Sequence, residues 1–299
     1  MRISDRQRYE IANTRVNQAK TDNADMLEQL STQKRINRLS DDPIGLGQSL
    51  RRKSQINDAD QFIKNIDFSK GFMERTEAAL SGISDYLIRA KELSVAMANS
   101  SYDAPSRAAT AKELKEIIDG VVSLANSTYG NRYILGGFRT MTPPLSREGH
   151  FMGDDGAIFL QIDEGSFRQI NLQARGLFEP NVEEREQGRF GMISTLEVLQ
   201  QSLETDNIQG IRKAMDELDH QLEKTSSYQA TIGSIYNAVE ENSKRLEHKR
   251  EMTQEDLSRI EDADVYKATS DFKKTEAVLQ STLMASTKLL QPSLMNFMQ

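Results

Sequence analysis

The positions Tyr9, Ala12, Val16, Ala19, Asn23, Met26 and Leu30 follow one another at alternating steps of three and four residues. That rhythm is the seam of a helix packed on another helix. No Pro or Gly interrupts residues 1–42, and most residues between the seam positions are polar. A helix with one narrow apolar stripe cannot stand by itself and needs a partner. The best partner lies at the other end of the chain, where Val265, Phe272, Leu279, Leu283, Leu290, Leu294 and Phe297 share one side at helical spacing. Ala268, Thr275 and Ser286 fill the gaps, and Pro292 falls near the end, where a break is tolerated.

Ser40-Asp41-Asp42-Pro43 is the first punctuation. Pro disfavours helix at the residue before it and fits the first turn of a new helix, and Asp42 can cap that turn. The motif reads as a joint where one helix stops and another starts. The basic runs Lys34-Arg35 and Arg51-Arg52-Lys53 beside it read as solvated helix faces. A second long helix follows over 44–98, then a shorter one over about 106–128, closed by Gly130.

The grammar then changes. Tyr133-Ile134-Leu135-Gly136-Gly137-Phe138 reads as a strand meeting a turn. Ile158, Leu160 and Ile162 alternate with Phe159, Gln161 and Asp163, and Ile170 and Leu172 begin a return strand, which makes a β-hairpin. This pattern is self-contained, so the flanking helices are expected not to depend on residues 141–187. Gly153-Asp154-Asp155-Gly156 lacks the further ligands of a calcium loop and reads as a turn. Helical spacing resumes at Met192 and, from Ile211, runs to Ile260, with Arg250 and Thr253 weakening the seam around 248–256 as a joint before the last helix.

The order is nearly palindromic. It predicts a mainly α fold: an elongated rod of long antiparallel helices with paired terminal coiled-coil helices and a small β-rich insert. The regions are 1–42 with 258–299, 43–137 with 191–257, and the insert 138–190.

Composition narrows the chemistry. Hydrophobic residues make up 37% of the 299, which suits long helices with thin stripes better than a compact globule. A net charge of −7 argues against nucleic acid. There is no Cys for a disulfide, a thiolate metal site or a nucleophile, and the three His are far apart in sequence. No apolar run is long enough to span a membrane, and the opening Met1-Arg2-Ile3-Ser4 has no signal core. No His–acid–nucleophile set or phosphate-cradling Gly loop appears, so an enzyme, a cofactor and a metal are not expected.

Four segments carry a resemblance: Leu30-Ser31-Thr32-Gln33-Lys34-Arg35-Ile36 leading into Ser40-Asp41-Asp42-Pro43; Leu124-Ala125-Asn126 before Gly130-Asn131-Arg132-Tyr133-Ile134-Leu135-Gly136-Gly137; Gly153-Asp154-Asp155-Gly156; and Leu290-Gln291-Pro292-Ser293-Leu294-Met295-Asn296-Phe297. In this order they resemble the flagellin family over nearly the whole chain, most weakly in the insert. Gln33 stands where the family commonly has Gly, which should leave the first helix less interrupted. Pro43, where filament members tend to have Ala, and the opening Met1-Arg2-Ile3-Ser4 are more similar to the hook–filament junction branch than to the filament branch.

The resemblance implies a structural subunit of the bacterial flagellum, exported unfolded by the flagellar type III apparatus, that joins hook to filament. It implies self-association in a ring or tube, another hook-associated protein on the hook side, flagellin on the filament side, and an export chaperone. The two seams would be the assembly interface. A minor flagellin is the alternative within the family, and a helical signalling or secretion-system binding module the alternative outside it.

Overall fold

The computed structural model describes residues 2–99 and 102–295, with side chains described for 6–99 and 102–288. In chain order, α1 spans Arg2–Thr32, α2 Pro43–Met97 and α3 Ala104–Ala125. β1 (Thr128–Tyr129) and β2 (Arg132–Tyr133) form one antiparallel hairpin, β3 (Phe159–Asp163) and β4 (Ser166–Gln169) another. Two short helices, α4 (Arg175–Phe178) and α5 (Val182–Glu186), lead to α6 (Met192–Glu204), α7 (Ile208–Glu261) and α8 (Val265–Met295). The fold is mainly α with a small β part, as the spacing predicts.

Contacts group the chain into two units, residues 1–58 with 249–299 and residues 59–248. The division falls within α2 and α7, and the residues of the insert fall in the second unit.

That membership has a packing cause. In the second unit one apolar core runs from Ile66 through Leu114 and Leu199 to Leu246, and Leu145, Phe151, Ile162, Leu172, Leu177 and Phe178 of the insert are buried in it. Phe151 and Phe178 stack with ring centroids 6.1 Å apart. Asn126, just past α3, donates to the Leu145 carbonyl (2.8 Å) and accepts from the Leu145 amide (3.0 Å). Asn65 of α2 donates to the Gln161 carbonyl at 2.8 Å. The insert thus packs into the helical core rather than standing apart from it. Its alternation shows which residues face inward, while the helices supply the surface they face.

Three boundaries differ from the expected ones. Gln33 does not prolong α1. It takes a left-handed backbone (φ 58°), and α1 ends at Thr32. Its carbonyl accepts from the Ala263 amide (2.9 Å), and Lys34 forms a bridge with Asp262. These contacts hold a conformation that glycine would adopt more cheaply. Gly130 does not close α3, which ends at Ala125. With Asn131 it supplies the two positive-φ positions (54° and 64°) of the β1–β2 turn. The weak seam at 248–256 is no joint. Thr253 returns its hydroxyl to the Lys249 carbonyl (2.7 Å), and α7 continues to Glu261. The break comes at 262–264, where the Asp264 carboxylate accepts from the amides of Tyr266 and Lys267 and starts α8.

At the α2–α3 turn, the buried Arg107 donates to the carbonyls of Met97 and Asn99 (3.0 and 3.1 Å) and pairs with Asp206. A helix end leaves carbonyls without partners, and this guanidinium supplies the donors.

Candidate assembly surface

Within the first unit α1 packs along α8. The seam positions of α1 face that partner: Ala12 and Ala19 are buried, and Val16, Asn23, Met26 and Leu30 are half-buried. On α8, Ala268 is buried, and Phe272, Thr275 and Leu279 are half-buried. Alanines at the seam let the two backbones approach, and Asn23 donates to the Thr275 hydroxyl across it (3.3 Å). Tyr9, Val265 and Leu283 stand exposed, off the closed part of the seam. The side chains of Leu290 and Leu294 and the whole of Phe297 lie outside the described residues.

The pair leaves apolar surface uncovered. A groove of about 750 Å³ runs along it, walled by Ile11, Ala12, Ala277, Val278 and Ala285, with Arg8, Arg15 and Lys274 also lining it. Ile11 and Val278 are 56% and 51% exposed. Leu27 and Met284 add further exposed apolar surface on the same two helices. These residues escaped a reading built on one seam per helix. Their signal was present: large apolar residues one position off the seam, which a two-helix partnership does not use.

The joint is built as capping chemistry demands. The Asp42 carboxylate accepts from the Gly45 amide (2.9 Å) with Pro43 as the first residue of α2. Asp41 accepts from the amides of Asn37 and Arg38 (3.0 and 2.9 Å), closing the preceding turn. Those bonds, led by the one from Arg38, hold the Asp41 carboxyl below its ordinary range. Ser40 adds a longer hydroxyl contact to Asp41 (3.4 Å).

At the centre of the unit is a residue with no sequence signal. Glu261, the last residue of α7, is buried. Its carboxylate meets Lys34 at 2.5 Å, Lys53 at 2.7 Å and the Ser49 hydroxyl at 2.6 Å. Lys53 and Ser49 lie 208 and 212 residues away in the chain. Burial by itself would raise the pKa of this group. The hydrogen bonds from Lys34, Lys53 and Ser49 outweigh it and bring the pKa down to about 2. Arg35 reinforces the clasp, its amide donating to the Glu261 carbonyl (2.7 Å) and its guanidinium to the Ile260 carbonyl (2.9 Å). Arg52 pairs with Asp256 at 3.4 Å. The two basic runs are thus not merely solvated faces, because they fasten the end of α7 to the joint.

In the Gly153–Gly156 loop the Asp154 carboxylate accepts from the amides of Phe138 and Gly156 (2.7 and 2.9 Å), which makes it a turn brace. Among the described residues no group of three or more His, Cys, Asp or Glu side chains could hold a metal ion, and no helix is long and apolar enough to cross a membrane.

Residues 3–140 match the model of the bacterial flagellin N-terminal helical region, and residues 215–298 that of the C-terminal helical region. The chain is 26% identical to flagellar hook-associated protein 3 of Salmonella typhimurium over 313 aligned positions, covering 98% of each. It is 24% identical to a flagellar filament 31.3 kDa core protein of Treponema maltophilum, covering 91% of each. The crystal structure of FlgL from Bacillus cereus superposes with a TM-score of 0.61 at 22% identity, over 70% of this chain and 99% of that one.

Proposed function

The chain belongs to the bacterial flagellin family, and from that premise we propose that it is the adaptor subunit joining flagellar hook to filament, with the α1–α8 pair as its assembly surface. The observation that carries the assignment to the junction is the end-to-end match with a hook-associated protein 3, insert included. The uncovered groove along α1 and α8 supports the choice of surface, because the two-helix pair leaves its apolar walls, Ile11 and Val278 among them, without a partner. Neighbouring copies cover it in a ring. A second hook-associated protein meets the ring on the hook side and flagellin on the filament side. The same surface is open to an export chaperone before secretion by the flagellar apparatus. The protein is a structural component and catalyses nothing.

Deleting the gene tests this reading. Deletion cells are expected to carry hooks without filaments and to release flagellin into the medium, scored by electron microscopy and by blotting the culture supernatant. Deletion cells with full-length filaments would refute it.

A further inference from the structure

Within α7 beside α2, Gly233 occupies a place where an added Cβ would meet nothing within 4 Å. Glycine is among the poorest helix residues, and its usual justification, close approach of another group, is absent here. What lies over Gly233 is a notch of about 240 Å³ between the two helices, lined by Met73, Glu74, Glu77, Ile232, Tyr236 and Asn237. Met73 and Ile232, each 1% exposed, form an apolar floor. The rest of the lining is polar. Glu74 accepts from the Tyr236 hydroxyl at 2.9 Å, and this bond, with the charges of Glu74 and Glu240, holds the tyrosine pKa above its ordinary value. Glu77 is exposed and makes no hydrogen bond or ion pair among the described residues.

An apolar floor of this size below an unpaired carboxylate fits a long cationic side chain, whose methylene stem covers the floor while its head meets the charge. We propose that this notch receives a lysine or arginine of a neighbouring copy of the chain, with Glu77 as its counter-ion and the missing Cβ of Gly233 as the space for its stem. A second copy carries unpaired cations that match the charge of Glu77. Lys112, Arg168 and Arg212, all in the same unit, are exposed with no ion pair among the described residues. The inference rests on the reading of the chain as a self-associating flagellar subunit.

A Cβ at Gly233 meets no group of this chain, so adding one separates folding from assembly. Gly233→Ala improves helix propensity and is expected to raise the melting midpoint of the purified protein by about 2–4 °C. In a deletion strain complemented with this variant, the fraction of hooks carrying filaments should nevertheless fall about fivefold, a contact's worth of affinity. Glu77→Gln leaves helix flexibility untouched. It should melt within about 1 °C of the parent and lower the same fraction about two- to fivefold. Wild-type filament numbers with both variants, or with Glu77→Gln alone, would overturn the proposal. The uncomplemented strain in the same experiment keeps the two readings apart. If it carries filaments, the adaptor reading fails. If it is bald while both variants restore it fully, the notch fails and the adaptor reading stands.

Discussion

Replacing residues 141–187 by a short Gly/Ser linker is expected to destroy the cooperative unfolding of residues 59–248. The segment supplies Leu145, Phe151, Ile162, Leu172, Leu177 and Phe178 to the shared core. Each side chain of this kind contributes roughly 1.5–3 kcal/mol on burial. Six of them together amount to on the order of 10–20 kcal/mol of apolar contact, against a domain stability of about 5–15. Removing the segment also removes the entropy of ordering it, but the helical surfaces beneath it are left in water. The point substitution is cleaner: Phe178→Ala should cost about 3–5 kcal/mol in urea unfolding followed by circular dichroism. Phe167→Ala, on the exposed face of the β3–β4 hairpin, should change stability by less than about 0.5 kcal/mol. An unchanged melting transition in the linker variant would mean that the insert is a passenger.

The second large effect is at Glu261. Glu261→Ala leaves Lys34 and Lys53 facing each other across the space of a lost counter-ion and should destabilise residues 1–58 with 249–299 by about 2–3 kcal/mol, because both lysines are partly exposed and water screens them. Hydrogen exchange at the amides of Leu46 to Lys53 reports it, with Phe178 and its neighbours as the unaffected control. The pH dependence has a fixed sign. The folded pKa of about 2 lies below the unfolded value near 4.5, so the carboxylate stabilises the fold fully above the unfolded value. That stability is lost as pH falls from about 5 towards 2. The lysine side chains are 43% and 40% exposed, so solvent screening discounts the amount to on the order of 2–3 kcal/mol. Glu261→Gln should flatten this acid limb. An acid limb of the same depth in Glu261→Gln would place its origin elsewhere.

The helices were legible because their spacing is a local property. The starts of α2 at Pro43 and α8 at Val265 follow from capping and apolar periodicity that a few consecutive residues carry. The seam residues Ala12, Ala19, Phe272 and Leu279 were legible for the same reason. What stayed hidden depends on partners distant in the chain. Gln33 ends α1 because the backbone of Ala263 holds it, and no rule of local propensity encodes that contact. Glu261 looks like any acid on a polar helix until Lys34, Ser49 and Lys53 are brought around it. Arg250 and Thr253 weaken a stripe without breaking a helix, since nothing in 248–256 is Gly or Pro and the Thr253 hydroxyl bonds to its own backbone. The insert's strands were readable from alternation, but alternation says nothing about which surface covers the inward side.

Where the chain resides on the assembled flagellum tests the central claim most directly. The turn at Gly165, between β3 and β4, is exposed and open, which makes it the place to insert a short peptide epitope. Immunogold electron microscopy of intact flagella from epitope-tagged cells should show gold at a single place, the boundary of hook and filament. Gold distributed along the filament would contradict the adaptor role and make the chain a filament subunit.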